Sequence, residues 1–488
     1  MLDRPLTLLA AALLAASVIV AVALVVDRPA AEASPGSSPP VLARSLPAAP
    51  PTSVVPAPLA IGPLRLSLRA ERSVLAPETV EVRAMAEVQA AEGAEPLAPR
   101  PVALAIVVDV SGSMGGSKIA DARAGAARLV DRLGDDDLLS IVAFESEVHT
   151  VLAPARLGDA RRRAASAVEQ LAPMGGTCMS CGLDAAYALL AEAPATHDRR
   201  VVLFSDGHAN EGIVTPEGLA AIVGAARDGS GVASTTVGLG GGYDAPLLNL
   251  LAGRGLGSHL FSPGPGAIAR ILDREIERMK DVIARDVELV LTPAPTVRIG
   301  PVDGEVARGP DGSVRVDLGS LSADDRRRLL LPLSIQPGQA GDLVTARLVA
   351  AGGLDGDARL QVARSVDPEA VRASLDFDAA GYFAALAAST ARADAMQAAA
   401  SGDRDGARAT LQLAWTQLSE VHAQTGLDEL QTELDEVSRN LEGIELWTGP
   451  QLQSMVNNTA ACDLEVRRGV RAEGRWNVAE LLSEHEGY

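Results

Sequence analysis

The chain has 488 residues, 47% hydrophobic and 22% charged, which excludes wholesale disorder and suggests about three domains. Its 43 Lys and Arg against 63 Asp and Glu leave a formal charge of −20, with only three Trp, four Tyr and five Phe. Neither phosphate neutralisation nor base stacking is served by such a chain, so nucleic acid is excluded as a partner. Three cysteines cannot build a disulfide scaffold or a four-thiolate zinc site, and no GxxxxGK[ST] occurs to cradle nucleotide phosphates.

Leu6 to Val26 carries no charge and is flanked by Arg4 and by Asp27-Arg28. As a helix it is long enough to span roughly 30 Å of hydrocarbon. Ala31-Glu32-Ala33 before Ser34 equally suits cleavage after small residues. Residues 1–32 are therefore expected to be a membrane anchor or a signal peptide. Either places the remainder outside the cytoplasm, as a single-pass anchored or secreted protein of the periplasm or cell surface. Residues 33–63 collect Pro, Ser and Ala and read as an extended linker.

From Leu64 the polarity alternates in Leu64-Arg65-Leu66-Ser67-Leu68-Arg69 and Val80-Glu81-Val82-Arg83. Period two predicts half-buried strands, and residues 64–100 are expected to be the first strands of a β-sandwich completed elsewhere. At Val102 the pattern becomes a continuous apolar run, Val102 to Val108, as in a strand buried on both faces. Helical and strand patterns then alternate to Ile283, predicting a doubly wound, mainly parallel α/β domain over 101–283. Alternation resumes over 284–366, for example in Val287-Glu288-Leu289-Val290-Leu291. The β domain is thus expected to hold the α/β domain as an insertion. Residues 367–446 switch to a helical period and predict a C-terminal helical hairpin; 447–488 show little periodicity and read as a tail.

The chemistry sits at strand ends. Asp109-Val110-Ser111-Gly112-Ser113 follows the first buried strand, Gly175-Gly176-Thr177 precedes a helical stretch, and Ser205-Asp206-Gly207 follows Val201-Val202-Leu203-Phe204. Ligands of open α/β sheets bind at the carboxyl ends of strands. Two carboxylates and three hydroxyls there make an all-oxygen set for Mg²⁺ or Mn²⁺, with a position left for water or an outside ligand. With these residues, the segment from about Pro101 to Ile283 resembles the von Willebrand factor type A (VWA) domain, and Asp109, Ser111, Ser113, Thr177 and Asp206 resemble its metal-ion-dependent adhesion site (MIDAS). The resemblance implies that Ser111, Ser113 and Thr177 ligate the metal through hydroxyls, while Asp109 and Asp206 act directly or through water. The flanking strands and alanine-rich helices look like the architecture of bacterial multidomain proteins with this domain.

The expected function is a non-enzymatic, divalent-cation-dependent protein-binding or adhesion protein whose partner offers a carboxylate to the metal. A VWA subunit of a chaperone or chelatase complex working with an ATPase is the alternative. Cys178-Met179-Ser180-Cys181 departs from the family pattern, which generally has a polar residue after the threonine. The pair is open to three readings: a dithiol redox centre, two small buried thiols, or a short disulfide. In an exported protein an i, i+3 pair at a helix start is expected to be bridged. Gly238-Leu239-Gly240-Gly241-Gly242 lacks the GxGxxG spacing and reads as a turn.

Overall fold

The computed structural model describes residues 57–467, apart from 263–264 and 324. The expected anchor or signal peptide, the linker up to residue 56, and residues 468–488 lie outside the described residues. Among the described residues no helix is long and apolar enough to cross a membrane.

Strand Val102–Asp109 is buried along its whole length because its two faces feed different cores. Leu104, Ile106 and Val108 pack with helices Ser117–Arg132, Leu157–Glu169 and Pro265–Lys280. Ala103, Ala105 and Val107 pack with helices Met179–Ala191, Pro216–Ser230 and Ala245–Arg254. A strand covered on both sides shows no polar face, hence the unbroken apolar run. The sheet order is Leu256–Ser262, Ala233–Leu239, Asp198–Ser205, Val102–Asp109, Leu138–Phe144, Val148–Arg156. Every pairing is parallel except the last, so the doubly wound, mainly parallel sheet is present. The antiparallel edge strand Val148–Arg156 was not expected from the sequence. It is mostly exposed and contains Pro154, so no apolar alternation announces it.

Helix Ser117–Arg132 buries one carboxylate, Asp121, whose Oδ1 has no hydrogen-bond partner. Burial pushes its pKa from 3.8 up to about 6. The folded pKa lies above the unfolded one, so Asp121 contributes stability below pH 3.8 that is lost as pH rises through about 6. Asp121→Asn is expected to stabilise the protein at neutral pH by about 2 kcal/mol. The gain should shrink toward zero near pH 4. Urea denaturation at the two pH values checks this, and an equal gain at both would refute it.

Two further sheets surround one apolar core. The first runs Leu59–Ile61, Leu64–Ala70, Glu81–Ala90, Arg326–Ser334, Arg298–Ile299. The second runs Glu305–Arg308, Val314–Ser322, Val282–Pro293, Gly341–Ala350, Leu354–Arg364, Val74–Leu75. Leu66, Leu68 and Val88 meet Leu289, Leu291 and Leu348 between them. The early and late strands pair directly, with Ala84 opposite Leu331 and Ala86 opposite Leu329. The chain leaves these sheets after Ala90 and re-enters them at Val282, where the Leu97 N–H donates to the Val282 carbonyl at 2.7 Å. Leu59–Ile61 falls within the expected 33–63 linker but is a strand instead, because Ile61 is buried in this core.

The C-terminal part is larger than the expected hairpin. After a short helix, Pro368–Ala373, helices Phe377–Ala400, Arg404–Thr425, Asp428–Gly443 and Gly449–Arg467 share one core. The Asp376 and Asp403 carboxylates cap two of them, accepting from the N–H groups of Ala379 and Gly406. Helix Gly449–Arg467 occupies part of the segment read as a tail. Its buried face sets Asn457 and Thr459 beside Leu452 and Val456, and the polar pair erases the apolar period.

Candidate functional site

Asp109 ends the central strand and is fully buried. Its Oδ1 accepts the Ser111 N–H at 2.9 Å and its Oδ2 accepts the Ser205 hydroxyl at 2.7 Å. The chain then turns through a short 3-10 segment, Gly112–Met114, that leaves the Ser111 and Ser113 hydroxyls 3.0 Å apart. The Gly112 N–H donates to the Gly175 carbonyl at 3.2 Å, which ties this turn to the loop carrying Thr177. Gly175 has φ +65°, and a Cβ there would run into the Glu145 carboxylate. Only glycine fits.

Thr177 is buried and held from both sides. Its N–H donates to Asn210 Oδ1 at 2.8 Å, and its carbonyl accepts the N–H groups of Asn210 and Glu211, both at 3.1 Å. Its hydroxyl makes no hydrogen bond among the described residues. Cys178 and Cys181 are joined by a disulfide with their Cα atoms 5.3 Å apart, at the start of helix Met179–Ala191. Cys178 is 2% exposed and its N–H donates to the Glu145 carbonyl at 2.7 Å. The bridge therefore fixes the backbone directly after Thr177. Converting both cysteines to serine is expected to weaken Mg²⁺ binding roughly tenfold, the low end for groups that orient metal ligands. Calorimetric titration, repeated on the unaltered protein with and without reductant, measures it. Equal affinities throughout would leave the bridge purely structural.

Asp206 follows strand Asp198–Ser205, next to the Asp109 strand in the sheet, and is also fully buried. Its Oδ2 accepts from Lys118 Nζ at 2.8 Å. Burial pushes its carboxyl up, but the Lys118 ammonium and the Ser113 hydroxyl outweigh that and hold it below the usual carboxylate range. Asp109 has no such cation. Burial pushes its carboxyl up, the hydrogen bonds from Ser111 and Ser205 pull it back in part, and the negative Asp206 adds to the rise.

The sequence reading missed three residues that shape the site. Ser205 bridges Asp109 and the Gly207 N–H, which donates to its hydroxyl at 2.9 Å; its place beside Asp206 was the available signal. Asn210 holds Thr177, and Lys118 pairs with Asp206; no local spacing marks either. His208 is exposed, with Nε2 2.8 Å from the Gly242 carbonyl. A separate trio, Glu145, Glu147 and His149, has donor atoms within 4.8 Å of one another on the adjoining hairpin.

The five candidate side chains offer only oxygen, the donor type that Mg²⁺ and Mn²⁺ prefer. Two buried carboxylates share a single bonded ammonium, beside the hydroxyl of buried Thr177, which makes no hydrogen bond among the described residues, and the group is short of positive charge. A divalent ion fits that deficit.

Fold and site together define an α/β domain with a cluster of oxygen donors at the carboxyl ends of adjacent parallel strands. Residues 104–208 match the von Willebrand factor type A domain, a stretch that contains all five candidate residues, and the chain is a VWA-domain protein. It is 27% identical over 252 residues to an uncharacterized protein of Synechocystis sp., covering 49% of this chain and 59% of that protein. It is 26% identical over 244 residues to the uncharacterized protein YfbK of Escherichia coli, covering 48% and 41%. The chain thus spans about half the length of the curated relatives it matches. Among solved structures, a von Willebrand factor type A protein from Catenulispora acidiphila superposes with a TM-score of 0.67 at 20% identity, over 84% of this chain and 98% of that one. The ArnB paralog VWA2 from Sulfolobus acidocaldarius gives 0.53 at 17% identity, over 84% and 100%. These two likenesses concern the fold.

Proposed function

We propose that the protein is an extracytoplasmic, divalent-cation-dependent protein-binding protein acting through a MIDAS. The observation that carries this reading is one oxygen cluster assembled from three loops, with Asp109, Ser111 and Ser113 on the first, Thr177 on the second and Asp206 on the third; four of the five are buried and Ser113 is exposed. Ser111, Ser113 and Thr177 would hold Mg²⁺ or Mn²⁺ through their hydroxyls, and Asp109 and Asp206 directly or through water. The bound ion would supply a Lewis-acidic position for a carboxylate of the partner.

The surroundings suit a protein ligand. Met174, Ile213 and Val214 are 52%, 46% and 45% exposed, and they lie on the loops that carry Thr177 and follow Asp206. Apolar side chains at the rim of a charged centre are what a protein interface uses and a bare ion site does not need. We read the site as binding rather than catalytic, because the carboxylates beside the Ser111 and Ser113 hydroxyls, Asp109 and Asp206, are the ones assigned here to the ion. The disulfide and the uncharged run Leu6 to Val26 support an oxidising, extracytoplasmic setting, whether anchored or released. We read the two outer sheets as one β-sandwich into which the VWA domain is inserted.

The test is a pull-down from the envelope fraction of the producing cells, in Mg²⁺ and in EDTA, with the unaltered protein and Thr177→Ala. A partner retained only by the unaltered protein in Mg²⁺ supports the reading. Identical recovery in all four conditions overturns it.

A further inference from the structure

Lys118 is built into the site. Its Nζ lies 2.8 Å from Asp206 Oδ2, with the lysine side chain 24% exposed and the aspartate 0%. The lysine stem lies across Gly240, which has φ +78°; a Cβ there would meet Lys118 Cε at 2.8 Å and Cγ at 3.2 Å. The glycine turn is pinned from several sides. The Asp244 N–H donates to the Asp206 carbonyl at 2.8 Å, His208 Nε2 is 2.8 Å from the Gly242 carbonyl, and Asn457 Nδ2 donates to the Gly241 carbonyl at 2.9 Å. A helix start, a strand end, a glycine turn and the C-terminal helix thus combine to direct one ammonium at one buried carboxylate.

Two fully buried carboxylates need positive charge whether or not a metal is bound, because unpaired charge away from water is strongly disfavoured. We propose that Lys118 is an internal counter-cation that occupies Asp206 in the metal-free protein and competes with the divalent ion for it. The inference rests on the MIDAS reading given above. Two cations directed at the same carboxylate repel, and beside a fully buried carboxylate that repulsion is less screened than in water. Metal binding therefore requires the ammonium to withdraw toward solvent, which its partial exposure permits. The lysine keeps the apoprotein folded around its two buried carboxylates and lowers the affinity of the site for its ion.

Lys118→Met keeps the unbranched stem against Gly240 and removes the charge; Lys118→Arg keeps the charge. Mg²⁺ and Mn²⁺ are titrated calorimetrically into the unaltered protein and both variants, and melting is followed with and without metal. Lys118→Met is expected to bind the ion at least roughly tenfold more tightly, because a cation held against a buried carboxylate is removed. Its metal-free form should melt lower, so that its metal-induced rise in Tm is larger than that of the unaltered protein. Lys118→Arg should bind no more tightly than the unaltered protein. If the unaltered protein binds metal and Lys118→Met binds equally or more weakly, Lys118 only positions Asp206 and this inference is overturned while the metal site stands. If no form binds metal, the site reading falls and takes the inference with it.

Discussion

Asp109→Asn is expected to abolish Mg²⁺ and Mn²⁺ binding while leaving the fold intact. The asparagine keeps an acceptor for the Ser111 N–H, which now bonds Asp109 Oδ1 at 2.9 Å. The Ser205 hydroxyl at 2.7 Å can reverse to accept from the new amide. What disappears is a buried negative charge whose carboxyl burial already pushes up. The metal-free variant should therefore melt no lower than the unaltered protein. Metal affinity should fall on the order of a hundredfold or more, since a residue acting on the ion directly outweighs the outer partners worth about 10–100-fold. At a hundred times the dissociation constant the unaltered protein should gain about 2.7 kcal/mol from the ion. The variant should gain none. Thr177→Ala is the companion variant, because its hydroxyl makes no hydrogen bond among the described residues and its loss costs the fold little. Unchanged dissociation constants in both variants would remove the site.

Glu87→Ala is expected to cost about 3–5 kcal/mol, the range for breaking a buried ion pair by deleting one partner. Glu87 is 3% exposed, in the middle of strand Glu81–Ala90. Its carboxylate meets Arg328 Nε at 2.6 Å, Arg326 Nε at 2.9 Å and an Arg69 nitrogen at 3.7 Å. Glu87 stands opposite Arg328 in the ladder, and Arg69 comes from the neighbouring strand Leu64–Ala70. One carboxylate thus neutralises guanidinium groups from both neighbouring strands. The Arg328 side chain is itself 5% exposed and would be left with a weaker partner, Asp378 at 3.8 Å. Set against a total stability of about 5–15 kcal/mol, this is a large fraction. The pair Glu87→Leu with Arg328→Met should cost less than Glu87→Ala alone, since the desolvation of both charges is avoided. Urea denaturation of the three proteins decides. A loss below about 1 kcal/mol for Glu87→Ala would show that the strand junction does not depend on this network.

The α/β sheet was legible because Val102 to Val108 is apolar without interruption, as in a strand covered on both faces, and because strand and helix patterns alternate after it. Asp109, Ser111 and Ser113 were legible for a different reason. They lie within five residues on one turn, so their convergence needs no knowledge of the fold. Thr177 and Asp206 were reached through glycine-rich loops and strand ends, local marks again. Strand Val148–Arg156 and helix Gly449–Arg467 were not legible, because an exposed edge and a polar buried face each erase the periodicity that burial usually imprints.

Sequence by itself determined most of the α/β elements, the candidate oxygen donors and the closeness of Cys178 to Cys181, since each depends on neighbours within a few residues. Only the tertiary structure decided which groups oppose those donors. Lys118 reaches Asp206 across 88 residues because the sheet sets strand Asp198–Ser205 beside Val102–Asp109 and the Gly240 turn leaves room for the lysine stem. Glu87 meets Arg328 across 241 residues because the strands before and after the VWA domain share one sheet. Charge pairing over such distances leaves no periodic trace in a chain: it is fixed by strand order and register, which the packing of whole layers selects.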